Sequence, residues 1–496
     1  MQKNLRLVIV FISFLLLSYQ TIQNINDTPI HLWDEARGAL NAIEMMQSGN
    51  YIVVSHHGEP DYWNSKPPLS VWLKVISYKI FGINEFSVRL ASIIAVICTA
   101  IFILWFFVKN KMPYIGALTV IFLASVPGYM GYHVARNGDP DALLTFFVIA
   151  YSLLFYRLVN FNKISTKYYL LIGVLTTLAI YTKSFAALVP APGLFIYGLF
   201  KKNYYVVLKD YRLYIMMLAV LLIGSMYYVI RNQQDPNYIQ HVLQSELGLL
   251  HDHLGSVPKH PEFTYYINYI ADNGLKVFFY FLPLVLFVLF PVNQKYREVG
   301  YFCIIQVITI ILIYSSAVTK NAWYIATVYP YFSILISVGL ISLMHTVKYY
   351  LRSYKSLWLI LNSLILTGST YIIGGQYYQV KQANTYQPKS MYHLEWNGAH
   401  LSCFLSKYPK ADTMKILSLY PQNSTFNDQL NFYIKRYQIE QDQYTMLIND
   451  IEKIKINDSI IVCREPARMK LDTSFYYSKV DNCFQCMLAK IDSVTN

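Results

Sequence analysis

The sequence predicts a mainly α-helical, polytopic membrane protein of about eleven spans, with a small extracytoplasmic α/β domain at its C-terminal end. Three observations carry this. Of the 496 residues 55% are hydrophobic and only 14% charged, against about one quarter charged in ordinary soluble domains. The apolar residues gather in windows of about 20, the length a helix needs to cross the hydrocarbon core. From about residue 376 onward the windows stop, and short apolar runs alternate with polar turns. The 45 tyrosines, 28 phenylalanines and 7 tryptophans are more readily placed at membrane interfaces than in one soluble core.

The first window, LRLVIVFISFLLLSYQ, follows Lys3 and Arg6 and lacks a small-x-small cleavage site, so it reads as an uncleaved first span. Further spans are expected near 86–108, 114–132, 141–157, 168–182, 185–200, 213–230, 273–291, 299–317, 322–344 and 357–375. The segment 67–82, PPLSVWLKVISYKIFG, is short and carries Lys74 and Lys79. It fits an amphipathic helix lying at the interface. Were it to cross, every later loop would change sides.

Lysine and arginine concentrate in cytoplasmic loops. With eleven spans and a cytoplasmic N-terminus, the inner loops hold Lys109 and Lys111, then Arg157, Lys163 and Lys167, then Lys201, Lys202, Lys209 and Arg212, then Lys295 and Arg297, then Lys348, Arg352 and Lys355. The outer face receives loops 23–85 and 231–272, a tight turn around Asp139, and the tail 376–496. The net charge of +13 therefore reports topology and a basic face toward anionic lipid headgroups, with no nucleic-acid partner implied. The chain divides into a transmembrane domain, 1–375, and a periplasmic α/β domain, 376–496.

In the tail, MKILSLYP, YTMLIND and DSIIVCREP read as strands. Four of the six cysteines lie there, Cys403, Cys463, Cys483 and Cys486. An extracytoplasmic compartment permits disulfides. The Cys483-x-x-Cys486 pair has no second ligand pair at zinc spacing. No Walker loop, G-x-G-x-x-G fingerprint or G-x-S-x-G elbow occurs.

The chemistry-bearing residues collect in the outer loops. DEARGALNAIEMMQSG reads as a helix beginning at Asp34 and stopping at Gly49. Asp34 then either serves the positive end of the helix dipole or is a carboxylate in a site at the bilayer edge, where burial is costly without a purpose. The turn HVARNGDPDALL supplies Arg136, Asp139 and Asp141, with Asp139 before Pro140 at the mouth of a span. VTKNAWYIATVYP places Lys320 and Tyr324 one helical turn apart, and YTKSFAALVP adds Lys183. Singly, the lysines could snorkel to headgroups and Arg136 could pair with Asp139. Together they suit a phosphate-bearing lipid.

In order along the chain, WDEAR, SKPPLSVWL, NGDP, YTKSFAALVP, HPEFTYY and SSAVTKNAWYIATVYP resemble the motifs of the GT-C glycosyltransferases, most nearly the aminoarabinose transferase group and the protein O-mannosyltransferases. The resemblance covers about residues 1–345. It implies an inner-membrane enzyme that moves a hexosyl or pentosyl group from a polyprenyl-monophosphate donor to a lipid, glycan or protein acceptor at the periplasmic face. Asp34 matches the catalytic aspartate and Asp139 the second acid. Lys66, Lys183 and Lys320, with Tyr324 and more weakly Arg136, are then the expected ligands of the donor phosphate. Ser65 stands where the nearest relatives have Glu before Lys-Pro-Pro, so a metal site using that Glu is not carried over. A divalent metal would instead use Asp139 with His251, His253 and His260. A flippase of lipid-linked sugars and a ligase using a lipid diphosphate donor are the alternatives.

Overall fold

The computed structural model describes residues 2–131, 133–160, 165–248, 260–289, 294–384, 397–408, 414–418, 420, 427–443, 445–463, 465–483 and 486–495. Among these, eight helices are long and apolar enough to cross a membrane: Asn4–Ile22, Glu85–Lys109, Asp141–Asn160, Thr166–Leu188, Tyr211–Gln234, Gln294–Ser316, Ala322–Tyr350 and Lys355–Ala383. A ninth is added if the pair Tyr265–Gly274 and Lys276–Val288, bent by 112°, is one span. Three of the eleven expected spans thus take other forms, and proline accompanies each. Pro113–Ser125 stops where Val126 turns extended before Pro127, since a residue preceding proline disfavours the α region. Its 13 residues reach only about 20 Å, short of a hydrocarbon core of about 30 Å. The stretch 185–200 divides into a 3-10 turn, Ser184–Leu188, and a helix, Ala191–Leu199, on either side of Pro190. Lys276–Leu289 is a 3-10 helix containing Pro283, which lacks an N–H for an α-helical bond.

The basic loops nevertheless share one end of the bundle. Arg157 donates to Asn110 Oδ1 at 3.0 Å and to the Tyr168 hydroxyl. Arg212 reaches Thr166 Oγ1 at 3.1 Å, Lys201 pairs with Glu298, and the Tyr296 ring meets His345. The opposite ends of the same helices carry Arg89, Asp141 and Lys183.

At that second end the segment after the first helix folds into two helices, Asp34–Ser48 and Leu69–Phe81, joined through a hairpin of β1 (Ser55–His56) and β2 (Glu59–Pro60). Gly49, at φ 68°, ends the first helix as expected, because only glycine enters the left-handed region without a Cβ penalty. Leu69–Phe81, 13 residues long, has a buried face that includes a cation and an exposed face that is apolar. Lys74 is buried beside Val71, Val75 and Tyr78, while Ile76, Ile80 and Phe81 are exposed.

The tail forms a five-stranded sheet of β3 (Met414–Leu417), β4 (Thr445–Ile448), β5 (Ser459–Val462), β6 (Phe475–Cys483) and β7 (Cys486–Val494), in the order β4-β3-β5-β7-β6. The strands β3, β4 and β5 are the three expected from the apolar runs, and they pair in parallel. The hairpin β6–β7 closes one side antiparallel. Disulfides join Cys403 to Cys483 and Cys463 to Cys486. One apolar cluster runs from Ala36, Leu40 and Val75 through Phe404, Leu430 and Phe432, so the tail is seated on the segment that follows the first helix. The last long helix reaches Ala383, past residue 375.

Candidate active site

Glu35, one residue after Asp34, organises the site. Its carboxylate accepts from Arg89 Nε at 2.8 Å and Nη2 at 3.0 Å, from the Gly138 amide at 2.7 Å and from the His31 amide at 2.7 Å. Arg89 spends its remaining donors on the carbonyls of Ile25, Thr28 and Pro29. Both side chains are fully buried. Burial opposes ionisation of Glu35, but the Arg89 guanidinium overrides it and holds the carboxyl down at about 2. A buried ion pair is tolerable only when such hydrogen bonds satisfy it fully. This pair pins the start of the Asp34 helix to the span Glu85–Lys109 and to the loop carrying Asp139.

Asp34 itself is half-buried, at the first position of its helix. No described residue hydrogen-bonds its carboxylate, so it is not spent on capping. Its charge acts on His133, Asp139, Lys183 and Tyr324, which are the groups the sequence expected around it plus one histidine.

Asp139 is buried, with Oδ2 at 2.5 Å from His133 Nδ1 and Oδ1 without a hydrogen-bond partner among the described residues. Burial pushes its carboxyl up to about 6, with Asp34 and Glu35 adding to the shift and His133 opposing it. His133 stacks on Trp323 at 3.7 Å. Its own pKa is lowered by burial but raised further by Asp139, a net rise.

Lys183 Nζ lies 2.6 Å from Asp141 Oδ1 and 5.2 Å over the Tyr324 ring. Tyr324 accepts at its hydroxyl from Asn321 Nδ2 at 2.9 Å. Lys66 is half-buried, without an ion pair among the described residues. The loop leading to it is ordered by Asp61, which takes a bidentate pair from Arg37 at 2.8 and 2.9 Å and a hydrogen bond from Asn41. The acid-base pattern of WDEAR is thus clipped to the SKPP loop.

Two expected phosphate ligands are engaged elsewhere. Lys320 is 1% exposed and donates to the carbonyls of Ala317, at 2.6 Å, and Pro261. It closes the end of the helix Gln294–Ser316, a role that suits a cation. Residues 322–328 form a 3-10 helix rather than an α-helix, so the spacing of four no longer aligns Lys320 with Tyr324. Arg136 donates to the carbonyls of Gln20, Thr21 and Gln23, closing the first helix instead of pairing with Asp139. Of the suggested metal ligands, His251 and His253 lie outside the described residues, and His260 stacks on Tyr265 at 4.4 Å. Among the described residues, Asp139 does not draw together with two other His, Cys, Asp or Glu side chains around one ion. Among the described residues the group that does is His56, His57 and Asp428.

The sequence reading did not place three cations in the buried interior, Arg89, Lys74 and Arg231. Arg89 was read as part of an apolar span. Lys74 sits 3.5 Å from where a Cβ on Gly38 would stand. Burial lowers its pKa, and Asp139 and Glu35 oppose that. Arg231 donates to the Asp61 carbonyl at 3.3 Å and lies 3.9 Å over the Tyr238 ring. The available signal was charge within an otherwise apolar helix, which is expensive unless partnered.

A family model described as dolichyl-phosphate-mannose-protein mannosyltransferase matches residues 65–228. The undecaprenyl phosphate-alpha-4-amino-4-deoxy-L-arabinose arabinosyl transferase of Aeromonas salmonicida is 29% identical over 181 residues, 35% of this chain and 31% of that protein. The match thus spans about a third of the relative's length. In structure the chain is similar to ArnT from Cupriavidus metallidurans bound to undecaprenyl phosphate, with a TM-score of 0.68 and 14% identity over 99% of this chain and 98% of that one. It is also similar to the oligosaccharyltransferase AglB from Archaeoglobus fulgidus in complex with an inhibitory peptide and a dolichol-phosphate, with a TM-score of 0.53 and 12% identity over 99% and 74%. The chain shares its fold with these two proteins.

Proposed function

We propose that this chain, with its GT-C fold, is a membrane glycosyltransferase that moves a sugar from a polyprenyl-monophosphate carrier to a hydroxyl of a lipid, glycan or protein acceptor. The observation that carries this reading is Asp34, a carboxylate left without a hydrogen-bond partner among the described residues, beside the Lys183–Asp141 pair. An acceptor hydroxyl is a poor nucleophile until a base takes its proton, and Asp34 is free to do so. The acceptor oxygen then attacks the anomeric carbon while the carrier phosphate leaves, with inversion at that carbon. Lys183 and Lys66 stabilise the departing phosphate charge, where a positioned cation in a low-dielectric site has its greatest effect. Asp139, backed by His133, orients the acceptor. Lys320 and Arg136 hold the helix ends that frame the site.

The periplasmic face is supported by the charge distribution. The basic loops gather at the end of the bundle opposite Asp141 and Lys183, and such loops remain cytoplasmic.

The test is transfer of labelled sugar by the purified protein in nanodiscs, with polyprenyl monophosphate and diphosphate donors offered in parallel. Transfer from the monophosphate donor alone is expected. Transfer from the diphosphate alone would make the protein a ligase, and donor flipping without transfer would make it a transporter.

A further inference from the structure

The register His56↔Glu59 leaves His57 and Gly58 as a two-residue hairpin turn, with φ of 55° and 83°. Such turns favour Asn-Gly, and a histidine with positive φ is uncommon. Here the turn is held by Glu44, whose two carboxylate oxygens accept from the amides of His57 at 2.9 Å and Gly58 at 3.1 Å. Its consequence is that consecutive histidines, which alternate sides in a strand, present their rings together, 4.1 Å apart and edge to face.

Both rings face Asp428, the first residue of the tail helix Asp428–Gln441. His56 Nε2 lies 2.9 Å and His57 Nε2 3.7 Å from Asp428 Oδ1, and one ligand atom from each residue falls within 4.8 Å of the others. The Asp428 side chain is fully buried. Among the described residues its Oδ2 and His57 Nε2 are buried without hydrogen-bond partners, although unpartnered buried polar atoms are rare in native structures. The nearby cations are occupied, Arg37 on Asp61 and Lys435 on Glu44.

We propose that His56, His57 and Asp428 bind one divalent transition metal of the zinc class, fastening the first outer segment to the tail. Two imidazole nitrogens and one carboxylate oxygen are a zinc donor set, with bonds of about 2.0–2.2 Å and a fourth position left for solvent. The ion gives His57 Nε2 the partner it lacks and joins His57 to Asp428, whose nearest atoms, 3.7 Å apart, are too distant for a hydrogen bond. The site fixes the hairpin that leads into Asp61 and Lys66, and it stands independently of the sugar-transfer reading.

The test uses the full chain in detergent, stripped with a chelator, re-equilibrated with zinc alone, gel-filtered and assayed for bound metal. The informative variant is His57→Asn, which removes a ligand while placing in the turn a residue that tolerates positive φ. Wild type should retain about one zinc per chain more than His57→Asn, with a higher Tm in zinc than in chelator that the variant lacks. Asp139→Asn should bind as wild type does. Asp428→Asn should match His57→Asn where it elutes as a single folded species. Equal zinc in wild type and His57→Asn would overturn the proposal.

Discussion

The two ends of the helix bundle handle charge differently. At the basic end Arg157 is buried on Asn110 Oδ1, but the ion pairs are local or partly exposed. Arg212 pairs with Asp210 two residues away, and Lys201 with Glu298 on a partly exposed surface. At the other end Glu35 meets Arg89, and Asp141 meets Lys183, across long stretches of chain with nearly every atom buried. Exposed pairs contribute little and leave their positions free to vary. Buried ones are costly to break and hold geometry. The ion pairs of the basic end thus place little constraint on the fold, and the buried pairs of the acid-bearing end hold groups in position. Asp34 and Lys66 stand out within it as charged groups that, among the described residues, form no ion pair, while Glu35, Asp61 and Asp141 each have one.

The largest expected effect tests that distinction directly. Asp34→Asn keeps the shape and removes the proton acceptor, and transfer should fall about 100- to 10,000-fold, with donor binding retained. Near wild-type turnover would reduce Asp34 to a helix-start residue. Breaking one pair at each end comes next. Arg89→Met leaves Glu35 buried without its cation, a loss of about 3–5 kcal/mol of stability, read as a large fall in Tm. Arg212→Met should leave Tm unchanged. Equal shifts would erase the contrast between the ends.

Among the lysines, Lys183→Met should lower the transfer rate about 100-fold, on the scale of losing one charge-stabilising donor. Lys348→Met, at the basic end, should stay within about twofold. Lys320→Met sharpens the comparison inside one face. As a closure of helix carbonyls it should lower Tm while leaving the donor Kd near wild type, and a loss of donor affinity at unchanged Tm would return Lys320 to the phosphate.

The smallest effect is in acid. The Glu35 carboxyl is held at about 2 in the folded protein against 4.5 as a reference. Its ionised pair therefore contributes stability in full above about pH 4.5 and loses it progressively as pH falls toward 2. The Tm difference between wild type and Glu35→Gln should be constant from neutral pH to about 4.5 and narrow below it. A difference that held through that window would show that Glu35 acts by shape alone.

Much of the architecture was legible locally. Apolar windows located the long helices, alternating runs located β3, β4 and β5, and Gly49 marked a helix end, because periodicity and backbone preference act over a few residues. Loop charge separated the two ends for the same reason. Proline was present in the windows 114–132, 185–200 and 273–291, yet hydropathy averaged over a window does not register a missing donor. Asp34, Asp139, Lys183 and Tyr324 were legible as candidates from their types and order along the chain, and the fold brings them near one another.

What the tertiary structure decided is which charges are spent. Lys320 and Arg136 close helix ends, Arg89 and Lys74 lie buried inside helices read as apolar or interfacial, and Cys483 and Cys486 take different partners. His56 and His57 find Asp428 some 370 residues away along the chain, at a separation of 372 for His56. A side chain's hydrogen-bond partner is set by packing between segments distant in sequence. The residue types state what each group can do, and burial beside a particular carbonyl, carboxylate or guanidinium determines what remains for chemistry.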